Sequence, residues 1–202
     1  MDVTTITLAV LAGGEGARMG RAKALLRVND APVLDYLLDR FHWTGPTLLI
    51  TAPGREAPPG AERFTRECVD SVPGEGPLRG VLTALENAPT PPVLIAAVDM
   101  PLIERRHLDE LIEAVGASLA LMPARRIDGR RQVEPFPSIF HVGATVEIRA
   151  RLARDDRSVA RLGDGADARF ATIDVNWEPT AWLNLNHPSD LPLLAQHGLR
   201  TQ

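Results

Sequence analysis

The chain has 202 residues, enough for one domain with a substantial core, and its 45% apolar and 24% charged content is that of a globular protein and not a disordered one. A net charge of −4 argues against a general nucleic-acid binder, which needs excess positive charge to meet phosphate. Cys68 is the single cysteine, which excludes an intramolecular disulfide and a cysteine-based zinc site; with no basic-then-apolar leader and no apolar run of membrane length, a cytoplasmic protein that engages neither membrane nor nucleic acid is expected.

An apolar run from Ile6 to Leu11 reads as a buried strand. It runs into Ala12-Gly13-Gly14, a turn of small residues, and then meets Arg18, Arg21 and Lys23. Glycines admit close approach of backbone to ligand, and the N–H groups of such a turn bind anionic oxygen. With the cations that follow, this describes a triphosphate cradle at the carboxyl end of a first strand. Two well-known glycine loops are excluded by spacing. Gly20 is followed by Arg21 and not by the Lys-Ser/Thr of a P-loop, and Gly14, Gly16 and Gly20 give G-x-G-x-x-x-G instead of the dinucleotide fingerprint. The competing reading is an ordinary strand-to-helix turn with solvated arginines.

Further on, Val33, Leu34, Leu37, Leu38 and Phe41 recur at helical spacing, with Pro32 suited to the first turn. Thr47 to Thr51 is a short apolar strand, residues 53–62 a proline- and glycine-rich loop, Phe64 to Val69 a second short strand, and Asp70 to Pro77 another loop. Leu78, Val81, Leu82 and Leu85 mark a helix. Val93 to Val98 is the clearest buried strand, and it leads straight into Asp99-Met100-Pro101. Leu108, Leu111, Ile112 and Val115 mark the next helix.

The C-terminal part carries weaker patterns. Ser118 to Met122 reads as a strand, Arg125 to Arg131 as a basic turn leading into a strand near Pro137 to His141, and Ala144 to Ala153 as a helix with Ile148 and Leu152 inward. Ala168 to Val175 alternates as a strand, Ala181 to Asn184 reads as the last strand, and a terminal helix starts at Pro188 with Leu191 and Leu194 inward. Strands alternating with helices point to an α/β fold with a mostly parallel sheet. The whole of residues 1–202 is read as one domain, with a nucleotide-binding part at 1–115 and an acceptor-side part at 116–202.

Asp99 sits where an apolar strand stops, and ligands of open parallel sheets bind at that edge. A carboxylate beside bound phosphates suits magnesium, which takes one or two carboxylates and draws its remaining ligands from phosphate and water. The alternative is a cap for the following helix. Asp70 ends another strand and either contacts nucleotide or starts a turn. Gly76-Pro77-Leu78 opens a helix whose free N–H groups suit a base edge or a phosphate, or is a plain proline start. Asn184 and Asn186 present their amides to one side if the segment is extended, in a place to orient phosphate, water or a metal ligand; Asn186 as a helix cap is the alternative. His42, His107, His141, His187 and His197 lack metal spacing and suit surface or capping roles. Arg125, Arg126, Arg130 and Arg131 read as solvated turn charges, or as a site for an anionic second substrate. Trp43, Trp177 and Trp182 read as core or lid residues.

Taken in order, Leu11-Ala-Gly-Gly14, Arg18-Met-Gly20, Lys23 with Leu25-Leu26, Gly76-Pro77-Leu78 with Gly80, Asp99-Met-Pro101 and Asn184-Leu-Asn-His-Pro188 resemble the molybdenum cofactor guanylyltransferases, within the wider nucleotidyltransferase group. The resemblance is strong to residue 115 and looser from there to about 180. It implies a Rossmann-like, three-layer α/β/α fold and transfer of GMP from GTP to molybdopterin, giving a guanine dinucleotide cofactor and pyrophosphate, with molybdoenzymes or other proteins of the cofactor pathway as further partners. Leu11, Ala12, Gly13 and Gly14 would line the nucleotide site, Lys23 would contact its phosphates, Thr51 would lie near the nucleotide, Asp70 would bind it, and Asp99 would hold both magnesium and nucleotide. Arg18, Lys23 and Asp99 would then be the catalytic residues.

This sequence departs from the family pattern at several points. The Arg18 to Lys23 spacing is one residue shorter than is typical, Ala22 replaces an acidic residue, Thr51 an asparagine, Arg79 a small residue, and Glu134-Pro135 a common His-Pro. The short Arg-Met-Gly-x-x-Lys form is also similar to cytidylyltransferases of the same cofactor. Transfer from CTP to the pterin, transfer to a sugar phosphate, and a nucleotide- or cofactor-binding module without turnover are therefore the competing expectations.

Overall fold

A computed structural model describes residues 2–13, 22–54, 56–72, 74–165 and 167–201. After a single 3-10 turn at Val3–Thr5, the first strand β1 (Thr7–Leu11) enters the middle of the main sheet. A 3-10 turn at Lys23–Leu25 leads to a two-stranded hairpin of β2 (Arg27–Val28) and β3 (Ala31–Pro32). Its turn residues Asn29 and Asp30 take positive φ of 50° and 63°, as a two-residue hairpin turn requires.

Helix α1 (Val33–Phe41) buries Val33, Leu34, Leu37, Leu38 and Phe41, the predicted stripe, with Pro32 as the residue before its first turn. There follow β4 (Thr47–Thr51), β5 (Arg66–Val69), α2 (Gly76–Asn87), β6 (Val93–Ala97) and α3 (Arg105–Ala114). The second part of the chain contains β7 (Ala120–Ile127), β8 (Arg130–Val133), β9 (Ser138–Phe140), α4 (Thr145–Ala153), the short α5 (Ala160–Gly163), β10 (Phe170–Asp174) and α6 (Leu191–Ala195).

The main sheet runs β10-β7-β9-β6-β1-β4-β5, with β8 laid antiparallel on β7. Strands β6, β1, β4 and β5 are mutually parallel, as are β7 and β10, and β9 runs antiparallel between β6 and β7. All five residues of β4 are buried, as are the first four of β1 and of β6. Such continuous burial means that both faces of the sheet are covered, the pattern of a parallel sheet between helices. Helix α2 packs on β1, β4, β5 and β6 and against α4, while α3 packs on β7 and β9. The β6–β9 hydrogen bonds join the part before residue 115 to the part after it in one sheet.

Three sequence expectations are corrected. Ala181 to Asn184 is not a strand: Pro179–Trp182 forms a 3-10 turn, with Ala181 and Leu183 donating to the carbonyls of Glu178 and Thr180. Proline has no N–H to give a sheet ladder and a φ suited to a helical first turn, so the local bonds win. The basic stretch at 125–131 is not one turn. Arg125 and Arg126 lie on β7, Arg130 and Arg131 on β8, and the reversal is confined to Asp128 and Gly129 at φ 50° and 77°. Accordingly the strand expected at 118–122 is longer and runs to Ile127.

Candidate active site

The site follows from where three parallel strands end. Leu11 pairs with Ile50 on one side and Ala97 on the other, so β1, β4 and β6 finish level. Backbone bonds carry that alignment one residue further: Ala12 N–H donates to the Ile50 carbonyl at 2.8 Å, Val98 to Leu11 at 3.1 Å, and Asp70 to Thr51 at 2.8 Å. Above this edge opens a cavity of about 710 Å³, within the range of small-ligand sites. At its floor Gly13 and Ala52 lie side by side. A Cβ on Gly13 would stand 3.4 Å from the Ala52 nitrogen.

Lys23 and Asp99, far apart in sequence, meet at this edge. The Lys23 ammonium donates to Asp99 Oδ2 and to Asn186 Oδ1, each at 2.7 Å. The neighbouring Leu185 N–H donates to the Asp99 carbonyl at 2.9 Å, which fixes the Asn184–Asn186 segment to the end of β6. Asp190 holds the segment from the other side, its Oδ2 accepting the Asn186 and His187 N–H groups at 2.8 and 2.7 Å. Those backbone donors, His187 first, hold the Asp190 carboxyl below the usual range. Asn186 is therefore not a helix cap: His187 occupies that position, and Asn186 spends its amide oxygen on Lys23. Asn184 lines the cavity, its amide donating to the Trp182 carbonyl at 3.3 Å. Nor does Asp99 cap a helix; Glu104 caps α3.

The opposite wall is the start of α2. Gly76 and Pro77 line the cavity, as do Leu11, Gly13 and Asp70. Gly80 lets the helix sit close: a Cβ there would lie 3.2 Å from Leu11 Cδ2 and 3.8 Å from Asp70 Oδ2. The Thr83 hydroxyl donates to Asp70 Oδ1. Burial pushes the Asp70 carboxyl up, against the Thr83 hydrogen bond and the Arg79 charge, which favour the ionised form. Arg79 pairs with Glu75 at 2.5 Å, so the guanidinium that replaces a small residue is neutralised within its own helix turn.

Three sequence-named residues stand behind the walls. Leu78 is wholly buried in the core, Ala12 is almost so, and the Thr51 hydroxyl is committed to Glu67 Oε1 at 2.7 Å. Gly14 and Arg18 lie outside the described residues. Sequence reasoning gave no site role to Glu134 and Phe136, which line the cavity on the side away from α2. Glu134 is 8% exposed, and its Oε1 accepts from Arg125 Nε at 2.7 Å and Gln132 Nε2 at 3.2 Å. An acid set between Val133 and Pro135-Phe136 was the available signal. Among the histidines, His107 is buried and not on the surface, although it does cap: its Nδ1 accepts the Glu104 N–H at 2.9 Å.

Asp99 and Asn184 carry hard oxygen donors, the chemistry magnesium prefers, while the Asn186 oxygen is taken by Lys23. Among the described residues no group of three or more His, Cys, Asp or Glu forms a cage for a metal. Asp99 Oδ2 already carries a cation, the Lys23 ammonium, at 2.7 Å. The residues present therefore fit magnesium shared with a bound nucleotide. No helix among the described residues is long and apolar enough to cross a membrane.

A family model described as the MobA-like NTP transferase domain matches residues 8–198. The chain is 32% identical over 191 residues to a molybdenum cofactor guanylyltransferase of Vibrio cholerae, spanning 94% of this chain and 89% of that protein. It is 30% identical to a probable molybdenum cofactor guanylyltransferase of Deinococcus radiodurans, spanning 96% and 95%. Among solved structures, it resembles molybdopterin-guanine dinucleotide biosynthesis protein A from Archaeoglobus fulgidus with a TM-score of 0.74, at 22% identity over 95% and 98% of the two chains. It also resembles 2-C-methyl-D-erythritol 4-phosphate cytidylyltransferase from Thermus thermophilus with a TM-score of 0.69, at 23% identity over 93% and 98%. These two structures share the fold.

Proposed function

This chain belongs to the MobA-like NTP transferase family, a nucleotidyltransferase family, and we propose that it transfers GMP from GTP to the phosphate of molybdopterin with release of pyrophosphate. The observation that carries the reading is the meeting of Lys23, Asp99 and Asn186 at 2.7 Å on the carboxyl edge of β1 and β6. Two anions must be brought together for this reaction, and the edge offers an ammonium, the Gly13 backbone and a carboxylate for a cation.

The acceptor phosphate oxygen attacks the α-phosphorus, and the bond to the pyrophosphate oxygen breaks. The acceptor is already ionised, so no strong general base is needed, and the protein's work is alignment and charge compensation. Gly13 lines the cavity beside Lys23 and Asp99, where the phosphates would lie. Lys23 exchanges its contact with Asp99 for the phosphates and offsets charge on the leaving pyrophosphate, and Arg18 adds to that charge. Asn186 keeps the Lys23 ammonium aimed as it does so. Asp99 would hold magnesium, which when bound neutralises charge across the reacting phosphates.

The test is release of pyrophosphate from GTP with magnesium, in the presence and absence of molybdopterin. Release that requires both substrates is the expected result; nucleotide binding without release under those conditions makes the protein a binding module. The short Arg18–Lys23 spacing, similar to that of cytidylyltransferases of the same cofactor, favours CTP as the second reading. Thermal shift against GTP, CTP, UTP and ATP separates the bases, because a ligand at a hundred times its Kd adds about 2.7 kcal/mol to stability.

A further inference from the structure

The cavity has two walls on either side of Lys23 and Asp99. One is built from the start of α2 and the ends of β4 and β5, and includes Asp70, Gly76 and Pro77. The other comes from the link between β8 and β9 and includes Glu134 and Phe136. Sheet order places β4 and β5 on one side of β1 and β6, and β9 and β7 on the other, so a molecule in each half meets its neighbour at Asp99. Among the described residues Glu134 is the ionisable one of the second wall.

We infer that Glu134 is the specificity residue for the acceptor, its carboxylate receiving the 2-amino N–H of a 2-amino-4-oxopteridine ring. The inference rests on the proposed transfer to a pterin and goes on to name the group that recognises it. Three observations carry it. The side chain is 10% exposed, so its charge is largely removed from bulk water, and the residue forms part of the cavity wall. It is held rigid: its N–H donates to the Pro123 carbonyl at 2.8 Å, and Arg125 Nε, itself lying 4.9 Å over the Trp182 ring, fixes the head group. Both side-chain donors, Arg125 Nε and Gln132 Nε2, reach the same oxygen, Oε1. Among the described residues Oε2 takes neither bond, and a carboxylate oxygen held in a little-exposed wall selects a ligand N–H over a ligand carbonyl.

This arrangement makes Glu134→Gln informative. In the variant the amide oxygen takes the place of Oε1 and keeps both donors, and the amide NH2 takes the place of Oε2. The wall then presents a donor where it had presented an acceptor. Two fluorescent probes differ at C2 and in the proton on the adjacent N1: a phosphorylated 6-hydroxymethylpterin, with an amine at C2, and the matching lumazine, with a carbonyl there and N1–H beside it. The wild-type protein should bind the pterin at least about tenfold more tightly than the lumazine, and the Gln variant should bind the lumazine more tightly. Magnesium-GTP should raise the melting temperature of both proteins equally, which also shows that the variant is folded.

A wild-type protein that binds both probes equally, or a Gln variant that keeps the wild-type order, overturns the inference while leaving transfer to a pterin in place. A variant that loses GTP stabilisation and keeps its pterin preference also overturns it, because Glu134 would then read guanine. Failure of the wild-type protein to bind either probe removes the acceptor reading and the inference with it.

Discussion

Leu185 donates its backbone N–H to the carbonyl of Asp99 at 2.9 Å. That single bond brings a segment near the C-terminus to the end of the sixth strand, and it places Asn186 where its amide oxygen meets the Lys23 ammonium. The site therefore depends on three stretches of chain, and substitutions in each have distinguishable consequences.

Replacing Lys23 or Asp99 removes half of the charge arrangement without opening the core. Lys23→Ala and Asp99→Asn should each lower turnover by about 10²–10³ or more, the range seen when one preorganised charge-stabilising group is lost. Both side chains are partly exposed, so melting temperatures should stay near wild type. Steady-state pyrophosphate release checks this, and wild-type turnover in the Asp99 variant would remove its assignment.

Asn186 acts through Lys23. Asn186→Ala should leave the ammonium with one anchor and reduce kcat by about tenfold, the weight of one charge-assisted hydrogen bond. Asn186→Asp keeps an acceptor in place and should recover part of the rate. An alanine variant as active as wild type would show that Lys23 is aimed by Asp99 alone.

Gly45 tests the fold at the amino-terminal edge of the sheet, the end opposite the site. A Cβ there would fall 2.6 Å from the carbonyl oxygens of both Val3 and Ile6, backbone atoms that a side-chain rotation cannot move. Gly45→Ala should cost about 1–3 kcal/mol, the usual penalty of overpacking. Urea denaturation measures it, and an unchanged midpoint would mean that this corner yields freely. At Gly80 the outcome should differ: the Cβ of an alanine meets the flexible end of Leu11 at 3.2 Å. Gly80→Ala should displace Leu11 into the cavity and weaken nucleotide binding more than it changes stability.

His107 supplies a pH dependence. Burial depresses its pKa, partly offset by Glu178 close to Nε2. Its Nδ1 accepts the Glu104 N–H, which only the neutral ring can do. The unfolded chain binds this proton more readily than the folded one, so the contribution is complete above the ordinary histidine value near 6.5 and is lost as pH falls below it. His107→Gln should be destabilised by about 1 kcal/mol at pH 8, and the gap to wild type should narrow by pH 5. Parallel melting curves across that range check it, and a constant gap would assign the effect elsewhere.

Much of the first half was legible because burial on both faces leaves unbroken apolar runs. Thr47–Thr51 has the ends expected of it, and Val93–Ala97 is one residue shorter than expected. Lys23 and Asp99 were readable as partners because each follows such a run. Leu78 shows a conflict between two signals. A motif placed it at the nucleotide, but its own spacing with Val81, Leu82 and Leu85 puts it on the buried stripe of α2, and burial decides its position. The last third was harder because its contacts are long-range. Glu134 gains its partner Arg125 through β7–β8 pairing, which no local pattern announces.

The stacking of Trp177 on Trp182, with ring centroids 4.8 Å apart, also bears on measurement. Arg125 lies over the second indole and grips Glu134 in the cavity wall, whereas the remaining indole, Trp43, sits under Arg105. Two of the protein's three tryptophans are thus linked through Arg125 to the cavity wall that holds Glu134, so a ligand that shifts that wall should change their ultraviolet emission without any attached dye.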